Sequence, residues 1–378
     1  MKIDRIEILP ADMPQADPKW RFAIHANRIS QGWLVAISAD DDTVGYGYAS
    51  ATKHMGASSA GLKGVLDDFT PLLLGRDPFD IERHATVLEH IAFHYGRCWP
   101  LDLALWDLIG KLSGQPCWKL LGGATSRIRA YASSGVLRDG SEMADAAERY
   151  IAEGFAALKI RFRRGDWRAD VRGLEAVRSR VGDRLELMVD CNQGWRMPWD
   201  TEPPWTLDQA LEVASALEPL GVYWMEEPLD RADYDGMARL RAATTIRIAG
   251  GEMTRELSAF DVLIARGCLD VLQPDAALVG GITGLKRLAV TARAHGLTFT
   301  PHTWTNGMGV VANAHLVAGL GDAPFIEFPY DPPQWSLARR DFLMAEPFAA
   351  NAGWLELTEA PGMGYAVDEP RLRATRVG

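Results

Sequence analysis

From about residue 126 onward the chain alternates short apolar runs with longer amphipathic ones, and nothing else in it restricts the possible folds so strongly. The runs "IRAYASSGV", "AALKIRF", "RLELMVDCN", "VYWMEEP", "IRIAGGE", "DVLQPD", "LTFTPHTW" and "FIEFP" have the length and residue types of strands. Between them lie "MADAAERYIAEG", "RADVRGLEAVRSRVG", "LDQALEVASALEPLG", "MARLRAATT", "LSAFDVLIARG", "TGLKRLAVTARAHG" and "ANAHLVAGLG", which read as helices. Eight strands joined by seven helices imply parallel strands with crossover connections. Such a series, in roughly 200 residues, fits a closed α/β barrel, a modified TIM barrel of (β/α)7β form. An open doubly wound sheet would alternate too. The first turn, "SSGVLRDGSE", has no G-x-G-x-x-G, which disfavours that sheet and its dinucleotide.

Residues 1–125 have a different texture. "KIDRIEILP" and "GWLVAISADDDTVGYGYAS" suggest a small antiparallel sheet with "DDDT" as its hairpin turn, and helical runs follow at "SAGLKGVLDDFTPLLLG" and "LDLALWDLIGKLSG". This gives three expected parts: an α+β capping domain over 1–125, a barrel over 126–334, and a loop-rich segment over 335–378 that packs back on the cap. "WRMPWDTEPPW" is a proline-rich insertion after the third barrel strand.

Composition narrows the function classes. The 378 residues carry a net charge of -10, and the longest basic cluster is "RFRR", so nucleic acid is not an expected partner. The N-terminus has charges within its apolar stretch, unlike a signal peptide, and no run is long and apolar enough to span a membrane. Cys98, Cys117, Cys191 and Cys268 form no C-x-x-C pair, which points away from a zinc knuckle or disulfide framework and toward a reducing cytoplasm.

The active sites of α/β barrels lie at the C-terminal ends of the strands. In chain order those ends, from the second strand to the eighth, carry Lys159 and Arg161; Asp190 and Asn192; Glu226 and Glu227; Glu252; Asp275; His302; and Glu327. An ionisable group at each of these ends is hard to explain as a set of loop caps. Three adjacent strands supply carboxylates, which repel one another unless a cation sits among them. Oxygen ligands without cysteine or histidine suit Mg²⁺. Periodicity alone leaves open whether Glu226 or Glu227 faces the ion. Lys159 and Arg161, two apart on one strand, share a face. His302 stands beside Asp275, and a carboxylate on one imidazole nitrogen raises the basicity of the other. A Mg²⁺ ion between such groups can hold a substrate carboxylate and neutralise an enediolate while a base removes the α-proton.

With these motifs the sequence resembles the enolase superfamily, and within it the mandelate racemase subgroup. "LDLALWDLIGKLSGQPCWKLLGG" resembles the segment joining cap to barrel, and "GFAALKIRF" the K-x-K strand. "LMVDCNQGW", "WMEEPL" and "IAGGE" resemble the three metal-ligand strands. "LQPDAALVGGITG" and "PHTW" resemble the strands of the His–Asp dyad. The resemblance implies Asp190, Glu226 and Glu252 as Mg²⁺ ligands and Asp275–His302 as the dyad. It also implies that Glu327 hydrogen-bonds the substrate carboxylate and that Lys159 is the first lysine of K-x-K. Arg161 replaces the second lysine. Arginine keeps its proton (pKa above about 12) and is a poor base, though a good bidentate anion binder.

The implied reaction is therefore one-base: dehydration of an aldonate or aldarate to a 2-keto-3-deoxy acid. The alternatives are a cycloisomerase acting on a sugar-acid lactone or anhydro-sugar acid, a racemase or epimerase, and a non-catalytic sugar-acid sensor. The expected partners are a small-molecule carboxylate and further copies of the chain, since relatives are often homo-oligomers. Trp20, Arg21, Lys53 and His54, on two N-terminal loops, are candidates for contact with the distal end of the substrate. Asn192 is a further candidate, and Trp195, Trp199 and Trp304 are candidates to stack on a sugar face.

Overall fold

In the N-terminal part, strands β1 (Ile3–Pro10), β2 (Gln31–Ala39) and β3 (Val44–Ala51) form an antiparallel sheet in the order β1-β2-β3. The β2–β3 turn is the expected acidic one. Asp42 adopts φ +66°, and the Asp41 carboxylate accepts a hydrogen bond from the Thr43 amide at 3.0 Å. Helices over Ser59–Phe69, Ile81–Tyr95 and Pro100–Leu112 pack on this sheet around Ile3, Val35, Ile37, Leu66, Leu88 and Leu105. The helix over Ile81–Tyr95 is an addition to the elements anticipated above. Its buried positions, His84, Ala85, Leu88 and Ile91, follow the three-and-four spacing of a one-sided helix. The computed structural model describes residues 1–11, 31–51, 59–162, 165–196, 201–321 and 323–374.

Eight parallel strands follow: β4 (Arg127–Ser133), β5 (Ala157–Arg161), β6 (Glu186–Asp190), β7 (Val222–Glu226), β8 (Arg247–Gly250), β9 (Val271–Leu272), β10 (Thr298–Phe299) and β11 (Ile326–Pro329). Among the described residues seven longer helices alternate with them, ending with Gly307–Leu320, which gives the (β/α)7β series. The sheet order is β10-β9-β8-β7-β6-β5-β4-β11, so the curled sheet has no backbone ladder between β10 and β11. Side chains bridge that seam. The Thr300 hydroxyl donates to the Phe325 carbonyl at 2.6 Å and the Thr303 hydroxyl to the Glu327 carbonyl at 2.9 Å. A short last strand, β12 (Trp354–Glu356), pairs antiparallel with β4.

Strand parity decides what faces the axis. Alternate residues of a strand point to opposite faces. Tyr131, Ala157, Met188, Trp224, Ala249, Val271 and Phe325 pack together inside the barrel, with Tyr131 edge-on to Trp224 at 5.3 Å. Two residues further along the same strands come Ser133, Lys159, Asp190, Glu226, Gln273 and Glu327, all buried. The interior therefore changes from apolar to polar in one step toward the C-terminal end.

Candidate active site

The parity argument resolves the paired glutamates. Trp224 belongs to the barrel interior, whereas Met225 packs outward in the main core, so Glu226 faces inward with Trp224. Glu227 lies beyond the strand with φ +47°, its amide bonded to the Ala249 carbonyl. Glu252 reaches the same level by another route. β8 ends at Gly250, and Gly251 adopts φ +115°, a conformation that suits glycine and turns the chain inward.

Asp190, Glu226 and Glu252 are buried, and each offers an oxygen within 4.8 Å of the others. Two of these carboxylates keep a buried oxygen without a hydrogen-bond donor, Asp190 Oδ2 and Glu252 Oε2. The remaining oxygens are held in place. Asp190 Oδ1 accepts from the Asn192 amide at 3.0 Å, and Glu252 Oε1 from the Trp195 indole at 2.5 Å. Glu226 accepts from Lys159 Nζ at 2.6 Å and from the Gln273 amide at 2.8 Å. Burial, opposed by Lys159 and reinforced by Asp190, Glu327 and Glu252, pushes the Glu226 pKa up. Orphaned buried oxygens in an all-carboxylate set under mutual repulsion fit a hard dication such as Mg²⁺.

His302 and Asp275 lie three residues beyond β10 and β9 rather than within the longer strands expected from "LTFTPHTW" and "DVLQPD". Pro301 and Pro274 stand just before them, and proline has no amide proton to extend the ladder. His302 Nδ1 is 3.0 Å from Asp275 Oδ2, while Nε2 points at the triad, 3.5 Å from Glu252 Oε2. Asp275 Oδ1 accepts from the Ala277 amide and the Asn313 side chain, which fixes the carboxylate from behind. Burial lowers the imidazole pKa, but the facing Glu252 carboxylate and the Asp275 hydrogen bond outweigh it and raise it to about 9.

On the opposite side Lys159 is fully buried between Glu226 and Glu327, 2.6 Å from each. Glu327 is saturated: Oε1 also accepts from Ser133 Oγ at 2.7 Å, and Oε2 from the Thr303 amide at 2.7 Å. Burial raises its pKa, but Lys159 and His302 prevail and hold it well down. Glu327 thus stands among the groups at the C-terminal end of the barrel, paired with Lys159.

Comparisons with known proteins give the family of the chain. Residues 7–122 match the mandelate racemase / muconate lactonizing enzyme N-terminal domain, and residues 142–371 match the enolase C-terminal domain-like family. The chain belongs to the enolase superfamily. It is 30% identical to a D-galactarolactone cycloisomerase of Agrobacterium fabrum, covering 91% of each chain. It is 29% identical to an arabinonate dehydratase of Saccharolobus solfataricus, covering 88% of this chain and 87% of that one. A racemase from Streptomyces coelicolor A3(2), solved with bound magnesium, superposes with a TM-score of 0.84 at 28% identity, over 98% of this chain and 99% of that one.

Arg161, where the resemblance implies a second lysine, is held from several sides. Its Nε donates to the Ser134 carbonyl at 3.1 Å and its Nη1 to Asn192 Oδ1 at 3.2 Å; Nη1 also lies 3.4 Å from Asp190 Oδ2. The guanidinium sits 4.8 Å above the Trp304 ring, and the Trp304 indole donates to Ser133 Oγ at 2.7 Å. Trp304 thus meets Arg161 with one face of its ring. Asn192, φ +52°, donates to the Asp190 carbonyl as well, so it links Arg161 to the strand that carries Asp190. Trp20, Arg21, Lys53, His54 and Trp199 lie outside the described residues. Gln273, Ser133 and Asn313 were not anticipated. The first two sit two residues beyond Val271 and Tyr131, so parity identifies them once the apolar layer is recognised. Asn313 lies within a helix whose residues Gly307–Gly319 are all buried, and no period marks it.

Proposed function

We propose that the chain is a Mg²⁺-dependent acid-sugar dehydratase, a hydro-lyase that converts an aldonate or aldarate to a 2-keto-3-deoxy acid. Asp190, Glu226 and Glu252 would hold the ion. Bound there, it supplies positive charge against the substrate carboxylate as the α-carbon becomes electron-rich. His302 removes the α-proton at Nε2, while Asp275 on Nδ1 fixes the tautomer and stabilises the imidazolium. The C–H electrons form the C=C bond as the β-C–O bond breaks. His302 returns its proton to the leaving hydroxide as water, and the enol becomes the keto acid. The observation that carries this reading is Arg161. It is braced by Ser134, Asn192 and Trp304 where a second base would stand, and it can bind an anionic oxygen but not take a proton.

Cycloisomerisation is the second reading, favoured by the Agrobacterium relative and by a 31% identical 3,6-anhydro-α-L-galactonate cycloisomerase of Streptomyces coelicolor. It uses the same proton abstraction with a ring oxygen as leaving group. Mass spectrometry separates the two, since only dehydration lowers product mass by one water. The base is tested by NMR of substrates in D₂O. His302→Asn should lose about 10²–10⁴-fold in turnover and lose exchange of the α-proton. The assignment fails if His302→Asn exchanges at the wild-type rate while Arg161→Lys does not.

A further inference from the structure

Arg97 lies in the turn between helices Ile81–Tyr95 and Pro100–Leu112, outside both N-terminal loops considered above. It crosses from the N-terminal layer to the barrel. Its Nη2 donates to the carbonyl of Met253, the residue after Glu252, at 3.5 Å. Its Nε is buried and donates to nothing. Two further arginines share this region. Arg255 is two residues past Met253. Arg231 follows β7, and its amide bonds to the Gly194 carbonyl at 3.0 Å, beside the Trp195 that holds Glu252. Among the described residues none of the three arginines makes an ion pair. Burial first, then Arg255 and Arg231, bring the Arg97 pKa down to about 10, and Asp275 of the dyad alone pulls the other way.

The buried Arg97 Nε has a proton and no acceptor, and the exposed Arg231 and Arg255 add positive charge beside it, so an anion supplied from outside gives that proton an acceptor. The neighbours of this cluster are the loops that carry Glu252 and Trp195. Met253 is the residue after Glu252, so this cluster borders the triad. We propose that Arg97, supported by Arg231 and Arg255, binds a second carboxylate of the substrate, so that the acid sugar is an aldarate or its monolactone rather than an aldonate. This rests on the reading of the triad and His302 as the site that acts on the first carboxylate. A planar guanidinium that crosses between domains also couples recognition of that carboxylate to the contact between cap and barrel.

The test is calorimetric titration, with Mg²⁺ present, of acid-sugar pairs that differ only at the terminal carbon: galactarate against galactonate, and the gluco and manno pairs. At least one aldarate should bind roughly 10–100-fold more tightly than its aldonate. Arg97→Met should bring that ratio close to one, and Arg97→Lys should keep part of it. If Arg97→Met does not fold, the double variant Arg231→Met, Arg255→Met, at exposed positions, should lower the same ratio. The proposal is overturned if no aldarate is preferred in any pair, or if Arg97→Met keeps the preference. Exchange of the α-proton in D₂O reads the chemistry separately. Exchange without aldarate preference overturns the subsite alone, and preference without exchange for any acid overturns the proposed reaction alone.

Discussion

Glu226 and Glu227 are neighbours in sequence with opposite surroundings. Glu226 lies over Trp224 inside the barrel and is gripped by Lys159 and Gln273. Glu227 has left the strand, and its carboxyl packs so closely on Gly194 that a Cβ there would lie 2.3 Å from Glu227 Oε1. It does not belong to the cluster of carboxylate oxygens formed by Asp190, Glu226 and Glu252. Glu226→Gln removes a charge from that cluster and leaves Lys159 with one acidic partner fewer. Glu227→Gln keeps shape and leaves the cluster intact. Glu226→Gln is therefore expected to weaken Mg²⁺ binding and to lower turnover by at least about 10²-fold, with a much smaller effect for Glu227→Gln. Mg²⁺ titration of both variants beside turnover checks the order, and the reverse order would place the other face of β7 inward.

At the scale of elements, the seam between β10 and β11 depends on side chains. Two residues of β10 pair with β9, and the other edge of that strand reaches β11 through Thr300 and Thr303. Thr300 is fully buried, and Phe325, whose carbonyl it serves, is buried as well. Thr300→Val keeps the volume and removes the donor. Leaving a buried acceptor unsatisfied costs about 1–3 kcal/mol, and urea unfolding of the variant should show a loss of that size. An unchanged midpoint would mean that the seam is closed by packing alone. The seam also shows what the sequence displays and what it conceals. The eight-strand series is legible because each strand pairs an apolar run with a turn. The groups at the ends of β5, β6, β7 and β11 are legible because parity continues straight from the apolar layer into the polar one. Where the strand stops early the period gives no guide. Glu252, Asp275 and His302 lie past Gly251, Pro274 and Pro301, and their alignment comes from loops braced by Trp195, Asn313 and Thr303. Such bracing pairs residues far apart in the chain, so no local pattern carries it.

At the scale of the molecule, one histidine ties together three distant parts of the chain. His315 lies within the apolar helix Gly307–Leu320 and is fully buried. Its Nδ1 accepts a hydrogen bond from the Trp118 amide at 3.0 Å, in the segment that leads into the barrel. Its Nε2 is 3.1 Å from the Met363 carbonyl, in the C-terminal segment, so the proton resides on Nε2. Protonating Nδ1 would remove the acceptor for Trp118 and place a charge in an apolar layer. Burial accordingly lowers the His315 pKa from 6.5 to about 4, against the smaller raising effect of the Met363 carbonyl. The folded pKa is below the unfolded one, so the unfolded chain takes up the proton first as pH falls. The contribution of neutral His315 is whole above the unfolded value and is lost as pH drops toward the folded one. By about pH 5 this amounts to a loss on the order of 2 kcal/mol. Asp102, raised to about 6 chiefly by burial, acts with the opposite sign over an overlapping range, so the wild-type curve alone hides the effect. A His315→Gln variant keeps the Asp102 contribution and removes that of His315. The stability difference between wild type and variant, from urea unfolding, should narrow by about 2 kcal/mol between roughly pH 7.5 and roughly pH 5. A difference that stays constant with pH would mean that His315 takes up its proton in the folded chain as readily as in the unfolded one, and that its two contacts do not hold it neutral.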